Sequence, residues 1–201
     1  MGPVTIERNL TSAGMRDVRE RVRSVVASVE TGDPVLILQH GQPAAVVVRH
    51  AEAERWAAIE RALSALHALD VYVELARDTA ELASIVGGAT RAGATAIRGL
   101  ADTPREIAAP LRTVNITVFR ERLAAYLDEV TAGRTLTVVA GGRLAATLIS
   151  PREYDRLRTL ARTVAWFRAA GLDLERADEA AIAAFVTAYR SRPSLADEAA
   201  G

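Results

Sequence analysis

The chain has 201 residues, half of them hydrophobic, so it is long enough to bury a core as one domain or as two small ones. It has no Cys, which excludes disulfides, thiol catalysis and Cys-based metal sites. The 25 basic residues, all Arg, balance 25 acidic ones, so nucleic-acid contact would need a local Arg cluster. Because we find no signal-peptide pattern and no long apolar run, we expect a cytoplasmic protein.

The sequence repeats itself with an offset of 101 residues. Arg19-Glu20-Arg21 aligns with Arg120-Glu121-Arg122, Gly32 with Gly133, and Gly41 with Gly142. No gap is needed from about Met15 and Ile116 to Val86 and Thr187. Because the apolar pattern also agrees between these identities, the sequence predicts two copies of one small module.

Each copy is predicted to begin with a helix. Apolar residues recur at i, i+4, i+7, i+8 and i+11, which predicts one buried stripe. Gly32 and Gly133 follow the stripes and are suited to the left-handed conformation that ends a helix. The stripe residues are Val18, Val22, Val25, Val26 and Val29 in the first copy, and Phe119, Leu123, Tyr126, Leu127 and Val130 in the second.

A β-hairpin with Gly in its turn is predicted next in each copy. The apolar runs at 35–38 and 44–48 are short and rich in β-branched residues, and 136–139 and 145–149 match them. Gly141-Gly142 therefore lies between two strands, where no helix N-terminus follows to hold a phosphate.

Two further helices are predicted in each copy. The first is marked by apolar residues at helical spacing, and Pro151 fits its first turn in the second copy. A short segment and a third helix follow, at about 74–86 and 175–190, and Gly and Pro break the regular pattern at 87–111. The apolar positions of the first of these helices are Trp56, Ile59, Leu63, Leu66 and Leu69, matched by Leu157, Leu160, Val164 and Phe167.

This order of elements, with its residues, resembles the Phd/YefM (prevent-host-death) antitoxins. In the second copy, 114–123 resembles the family's opening strand and first helix, 130–139 its first hairpin strand, and 150–157 the start of the following helix. In the first copy, 32–46 is the clearest match. The resemblance implies an α+β fold with two modules in one chain that form a pseudo-two-fold dimer. The expected organisation is 1–86 first module, 87–111 linker, 112–190 second module and 191–201 flexible tail.

The resemblance also implies a DNA-binding transcriptional autoregulator of a type II toxin–antitoxin system, a single-chain pseudo-dimer that neutralises a small toxin. Operator DNA and the toxin are the expected partners, and association of pseudo-dimers into a homo-oligomer is left open. Arg19 and Arg120 align with the family's basic residue in the first helix. DNA-binding candidates are Arg16, Arg19, Arg23, Arg120 and Arg122, with Arg134 and Arg143 near the second hairpin. The open alternative is a solvated helix face, on which Glu20 pairs with Arg16 or Arg23. The family commonly has a basic residue in the hairpin turn, where this chain has Gln39 and Ala140.

A set of apolar residues near the end of the second copy is the candidate partner-binding surface. The same stripe would equally serve as core. No catalytic residue, metal or cofactor is expected, because the counterparts of His40, His50 and His67 are Gly141, Pro151 and Arg168. A protein-interaction module without DNA binding is the alternative function. The partner-binding candidates are Trp166, Phe167, Ile182, Phe185 and Tyr189.

Overall fold

A computed structural model describes residues 10–69 and 112–191. These two ranges are called the first half and the second half below. These residues fall into two compact units, each of which draws on both halves. The first unit takes in the residues up to Arg55 and those from Arg112 to Arg158, and the second takes in Trp56 to Leu69 and Thr159 to Ser191. The predicted boundaries at 86, 111 and 190 describe a repeat along the chain rather than packing, and they stay a prediction.

The first six described elements occur in the same order in both halves. The first half has β1 (Thr11–Gly14), α1 (Met15–Glu20), α2 (Val22–Glu30), β2 (Val35–Gln39), β3 (Gln42–Arg49) and α3 (His50–Ala68). The second half has β4 (Arg112–Asn115), α4 (Ile116–Glu121), α5 (Leu123–Thr131), β5 (Leu136–Ala140), β6 (Arg143–Ile149), α6 (Pro151–Ala169) and α7 (Glu179–Arg190).

The strands form one mixed sheet in the order β1-β2-β3-β6-β5-β4. Each half contributes a hairpin with a third strand parallel to its first strand, because β1 pairs with β2 and β4 with β5. The halves meet where β3 runs antiparallel to β6, and Val47 there faces Leu148, its counterpart 101 residues later. The register is therefore symmetric about this pair of residues.

The core of the first unit lies between the sheet and the helices α1, α2, α4 and α5. The predicted stripes are buried there except Val25, which is partly exposed. Val18 and Val29 are fully covered in the first half, as are Leu123 and Val130 in the second. The α+β fold with a mixed sheet and amphipathic helices agrees with the expectation from the sequence.

The first helix of each half is not continuous, which corrects the prediction. It is interrupted at Arg21 and at Arg122, whose φ angles of −125° and −109° lie outside the helical range. The interruption is local, because the Arg21 amide still donates to the Asp17 carbonyl and the Val25 amide to the Arg21 carbonyl. The buried stripe therefore continues across the break, and no Gly or Pro marks the position in the sequence.

The predicted helix ends and hairpins are confirmed. Gly32 and Gly133 follow the helices with φ of 117° and 92°. The strands extend further towards each turn than predicted. The turns therefore contain only His40-Gly41 and Gly141-Gly142, all at positive φ. Positive φ at both central residues suits the twist of a two-residue hairpin.

Two predictions in the later helices need correction. Leu69 follows the end of α3 and is exposed, although the pattern placed it on a buried face. The third helix of the second half begins at Glu179 rather than 175, because the Asp178 side chain accepts a hydrogen bond from the Ala181 amide and caps the helix. The predicted helix at 74–86 and the linker at 87–111 lie outside the described residues.

The second unit has a core of its own. Ile59 and Leu66 of α3 are fully covered, as are Leu160 and Phe167 of α6. Phe185 of α7 lies beside Phe167, with ring centroids 6.3 Å apart. Within residues 10–69 and 112–191, no helix combines the length and the apolar character that a membrane crossing requires.

Candidate functional site

Arginines of α1, α2 and α4 form the basic surface of the first unit. Val18, Val22 and Phe119 face the core, so their neighbours on the opposite side of each helix face solvent. Arg19 and Arg120 are both exposed there. The position of α4 is fixed by Asn115, whose side chain accepts a hydrogen bond from the Thr117 amide at 2.9 Å. The local fold thus presents the aligned Arg-Glu-Arg segments outward.

A cleft of about 400 Å³ brings residues of both halves together on this surface. Arg21 and Arg23 line it from the first half, and Arg120 lines it from the second. Arg21 was not among the candidates from the sequence, although its aligned partner Arg122 was; the repeat carried the signal that would have found it. The remaining lining residues are Glu20, Val22, Ile116 and Thr117.

Three of the seven DNA-binding candidates are paired with carboxylates. Arg16 pairs with Glu20 at 3.0 Å, which agrees with the alternative prediction of a solvated helix face with ion pairs. Arg143 contacts Glu30 at 2.7 Å. Arg134 lies 3.6 Å from Glu129, whose two carboxylate oxygens also accept from Arg112 at 2.8 Å. The pairs leave less of their positive charge for a phosphate.

The other four candidates, with Arg21, differ in this respect. Within the described part of the chain, their guanidinium groups have no carboxylate or other side-chain partner, and all are exposed. The segments 15–23 and 116–122 contain six Arg against three acidic residues, a net charge of +3 in a chain whose total is zero. Because the chain as a whole has no net charge, contact with nucleic acid needs a local excess of Arg, and these two segments contain one. The unpaired members are Arg19, Arg21, Arg23, Arg120 and Arg122.

The hairpin turns carry no basic side chain at the position that matches the family's. The Gln39 amide donates to the Asp128 carboxylate at 3.3 Å, and Ala140 has no polar side chain. The basic surface therefore consists of residues of α1, α2 and α4 and of the two helix breaks.

The partner-binding candidates lie in the second unit. Phe167, Ile182 and Phe185 are buried, which agrees with the alternative prediction that they form a core. Tyr189 is half-buried and stacks on Phe185, with ring centroids 6.1 Å apart. The Trp166 side chain lies outside the described residues. Phe185 and Tyr189 also line a cavity of about 500 Å³ whose α7 wall is made largely of Ala. Whether these residues bind a partner stays a prediction.

One carboxyl group of the first unit has a perturbed pKa. Burial raises the pKa of Glu52 above its ordinary value, and the positive charges of Arg55 and Arg49 oppose that shift. In the second half, the aligned Glu153 accepts from the Arg156 guanidinium at 2.8 Å. Among the described residues, no group of three or more acidic, His or Cys side chains is arranged to hold a metal ion.

Comparison with known proteins bears on the second half. No curated protein and no solved structure matches the chain. The comparison gives no evidence of a duplicated domain in the first half. Residues 112–184, from β4 into α7, match the family model of the antitoxin Phd_YefM of type II toxin–antitoxin systems.

Proposed function

We propose that this protein is a DNA-binding antitoxin of a type II toxin–antitoxin system, in which one chain forms the pseudo-dimer and represses its own transcription. The observation that carries the proposal is the cluster of unpaired arginines of both halves on α1, α2 and α4 and at the two helix breaks. The Phd/YefM match over 112–184 supports the antitoxin role.

The charge of the cluster supports a phosphate ligand. Arg21, Arg23 and Arg120 line one cleft without a carboxylate partner among the described residues, and guanidinium groups bind phosphate through parallel hydrogen bonds. Each phosphate that they neutralise releases condensed counterions, so binding by this surface depends steeply on salt.

The repeated order of elements supports the pseudo-dimer. Two modules joined in one chain pair at an effective concentration of about mM when the linker is short and flexible. The antiparallel contact of β3 with β6, centred on Val47 and Leu148, is the kind of symmetric pairing that two copies of one module would make.

A salt titration of DNA binding tests the proposal. We expect the purified chain to bind the DNA upstream of its own gene, and the double variant Arg23→Ala with Arg120→Ala to lower the salt slope by about two. The control is Arg134→Ala with Arg143→Ala, which removes two arginines that already contact the carboxylates of Glu129 and Glu30. Salt-insensitive binding, or equal loss in both variants, would contradict the proposed interface.

A second function, protein binding without DNA, is favoured by one observation. The cavity beside α7 is lined by Phe185 and Tyr189 and by three alanines of α7, which leaves room for an apolar side chain of a partner. A complex with the product of an adjacent small gene that survives nuclease, while the chain binds no DNA, would favour this function. A complex that forms alongside salt-sensitive DNA binding would favour the antitoxin.

A further inference from the structure

Polar side chains cross the contact between the halves in the first unit, which we call the seam. At its centre, Nδ1 of His50 lies 3.0 Å from the Thr147 hydroxyl, and both residues are buried. The Thr147 hydroxyl also lies 3.3 Å from the hydroxyl of Thr137, a residue of its own half. Nε2 of His50 is 3.4 Å from a Glu54 carboxylate oxygen but makes no hydrogen bond. The cross-seam hydrogen bond is therefore the one that His50 makes.

Three further polar contacts cross the seam nearer its edges. Arg143 of the second half contacts Glu30 of the first at 2.7 Å. The Gln39 amide donates to Asp128 at 3.3 Å. The Thr131 hydroxyl donates to the Ala44 carbonyl at 3.3 Å. Together with the buried pair at the centre, they make four polar contacts that join unlike halves.

None of the four contacts can form at its symmetric position. The counterparts of His50 and Thr147 are Pro151 and Val46, and neither has a polar side chain. The counterparts of Gln39 and Asp128 are Ala140 and Ala27. Where the mirrored ion pair would lie, the chain has Gln42 and Thr131.

The fourth contact is equally one-sided. The counterpart of Thr131 is Glu30, and an ionised carboxylate cannot donate a hydrogen bond to a carbonyl. Every polar contact named at the seam thus uses a residue that the other half lacks. Two identical halves could not make this set of contacts.

We propose that the seam selects the pairing of the first half with the second and disfavours the pairing of two like halves. The inference rests on the proposed pseudo-dimer. If two first halves paired about the same symmetric register, His50 would face Val46 of the other chain, and its buried nitrogen would lose its partner. If two second halves paired, Thr147 would face Pro151 and Arg143 would lose Glu30. Leaving a buried polar group unpaired costs more than the bond itself contributes, so like pairs are penalised.

The absence of Cys from the sequence allows a direct test. Val47 faces Leu148 at the centre of the register, so the introduced thiol of Val47→Cys faces a second such thiol only when two first halves pair. The full-length variant is refolded at about 1 mM, where pairing between chains competes with the tether, and a mild oxidant is then added. The double variant Val47→Cys with Leu148→Cys reports separately on pairing within one chain.

We compare three seams in the Val47→Cys background. The first is the native seam, and the second is symmetrised by Thr147→Val, Arg143→Gln and Gln39→Ala, each giving the residue at the matched position of the other half. The third carries Thr137→Val, an equally buried change of the same kind that removes only a contact within one half. Arg143→Gln with Gln39→Ala alone serves as a milder, surface-only version should the symmetrised seam fail to fold.

We expect about tenfold more disulfide-linked dimer with the symmetrised seam than with the native seam, and a smaller rise with the surface-only version. The Thr137→Val seam should match the native one. Equal amounts of linked dimer in the native and symmetrised seams would overturn selection by these contacts, as would a rise with Thr137→Val as large as that of the symmetrised seam. Failure of the double-Cys variant to close a disulfide within one chain would instead overturn the pseudo-dimer itself.

Discussion

Glu52 is a residue whose surroundings disfavour its charge. Its carboxyl group is half-buried on α3, and desolvation raises its pKa although Arg55 and Arg49 stand near. The aligned Glu153 is held by Arg156.

We predict that Glu52→Gln flattens the pH dependence of stability. Because the folded-state pKa lies above the ordinary value, the folded state binds the proton more tightly than the unfolded state does. The stabilisation is therefore complete below pH 4.5 and is lost as the pH rises through the raised pKa. Urea unfolding from acid to neutral pH should show the free energy of unfolding of the native chain falling relative to that of Glu52→Gln. Glu121→Gln, at an exposed position, controls for loss of a carboxylate; a parallel pair of curves would contradict the prediction.

The sequence identified many of the exposed arginines but could not separate them. Arg19 and Arg143 are both arginines in polar surroundings, and only the folded chain brings Glu30 to one of them. Arg21 was not among the candidates, although its alignment with the candidate Arg122 indicates it. An ion pair between residues far apart in sequence has no local signal.

At the level of elements, the two hairpin turns depend on backbone conformations that favour glycine. Gly41 and Gly142 have φ of 74° and 77°, and a Cβ at either would meet no atom within 4 Å. The cost of a side chain there is therefore conformational rather than steric. His40 adopts a φ of 51° at the position where the second turn has Gly141.

We predict that Gly142→Ala lowers the free energy of unfolding by about 1 kcal/mol, because alanine is strained at this positive φ. Gly14→Ala is the matched control, since Gly14 has a φ of −71° and the nearest atom to an added Cβ belongs to the Asp17 side chain. Urea denaturation of both variants measures the difference. Equal stability of Gly142→Ala and the native chain would show that the turn relaxes into another conformation.

Element types and most boundaries follow from local pattern. The hairpins are recognisable because β-branched runs flank Gly, and the ends of α2 and α5 because Gly32 and Gly133 follow them. Strand β1 was not predicted, because Thr11–Gly14 lacks an alternating apolar pattern. The segment forms a strand through its parallel pairing with β2, which its own residue pattern does not predict.

At the scale of the whole molecule, the pairing of β3 with β6 within one chain has a consequence in solution. A sheet completed by two halves of one chain leaves no need for a second chain, whereas a protein with only one half would require it. The stability of such a sheet does not depend on protein concentration.

We predict that the chain sediments with the mass of one chain, 21.5 kDa, from about 1 to about 100 µM, well below an effective concentration of about mM. Its thermal midpoint should stay constant over the same range, because folding within one chain is unimolecular. Analytical ultracentrifugation and thermal unfolding at several concentrations measure both. A midpoint that rises with concentration would require pairing between chains.

The sequence by itself determined the order of helices and hairpins and the buried stripes, because each depends on local conformation and on the period of apolar residues. It also has matching residues at an offset of 101 positions. Only the tertiary structure decided that β3 pairs with β6, that α1 and α4 break beside Arg21 and Arg122, and that arginines of both halves share one cleft. It also decided which arginines contact carboxylates and that His50 lies against Thr147 across the seam. These features arise from contacts between residues far apart in the chain, which a local pattern does not encode.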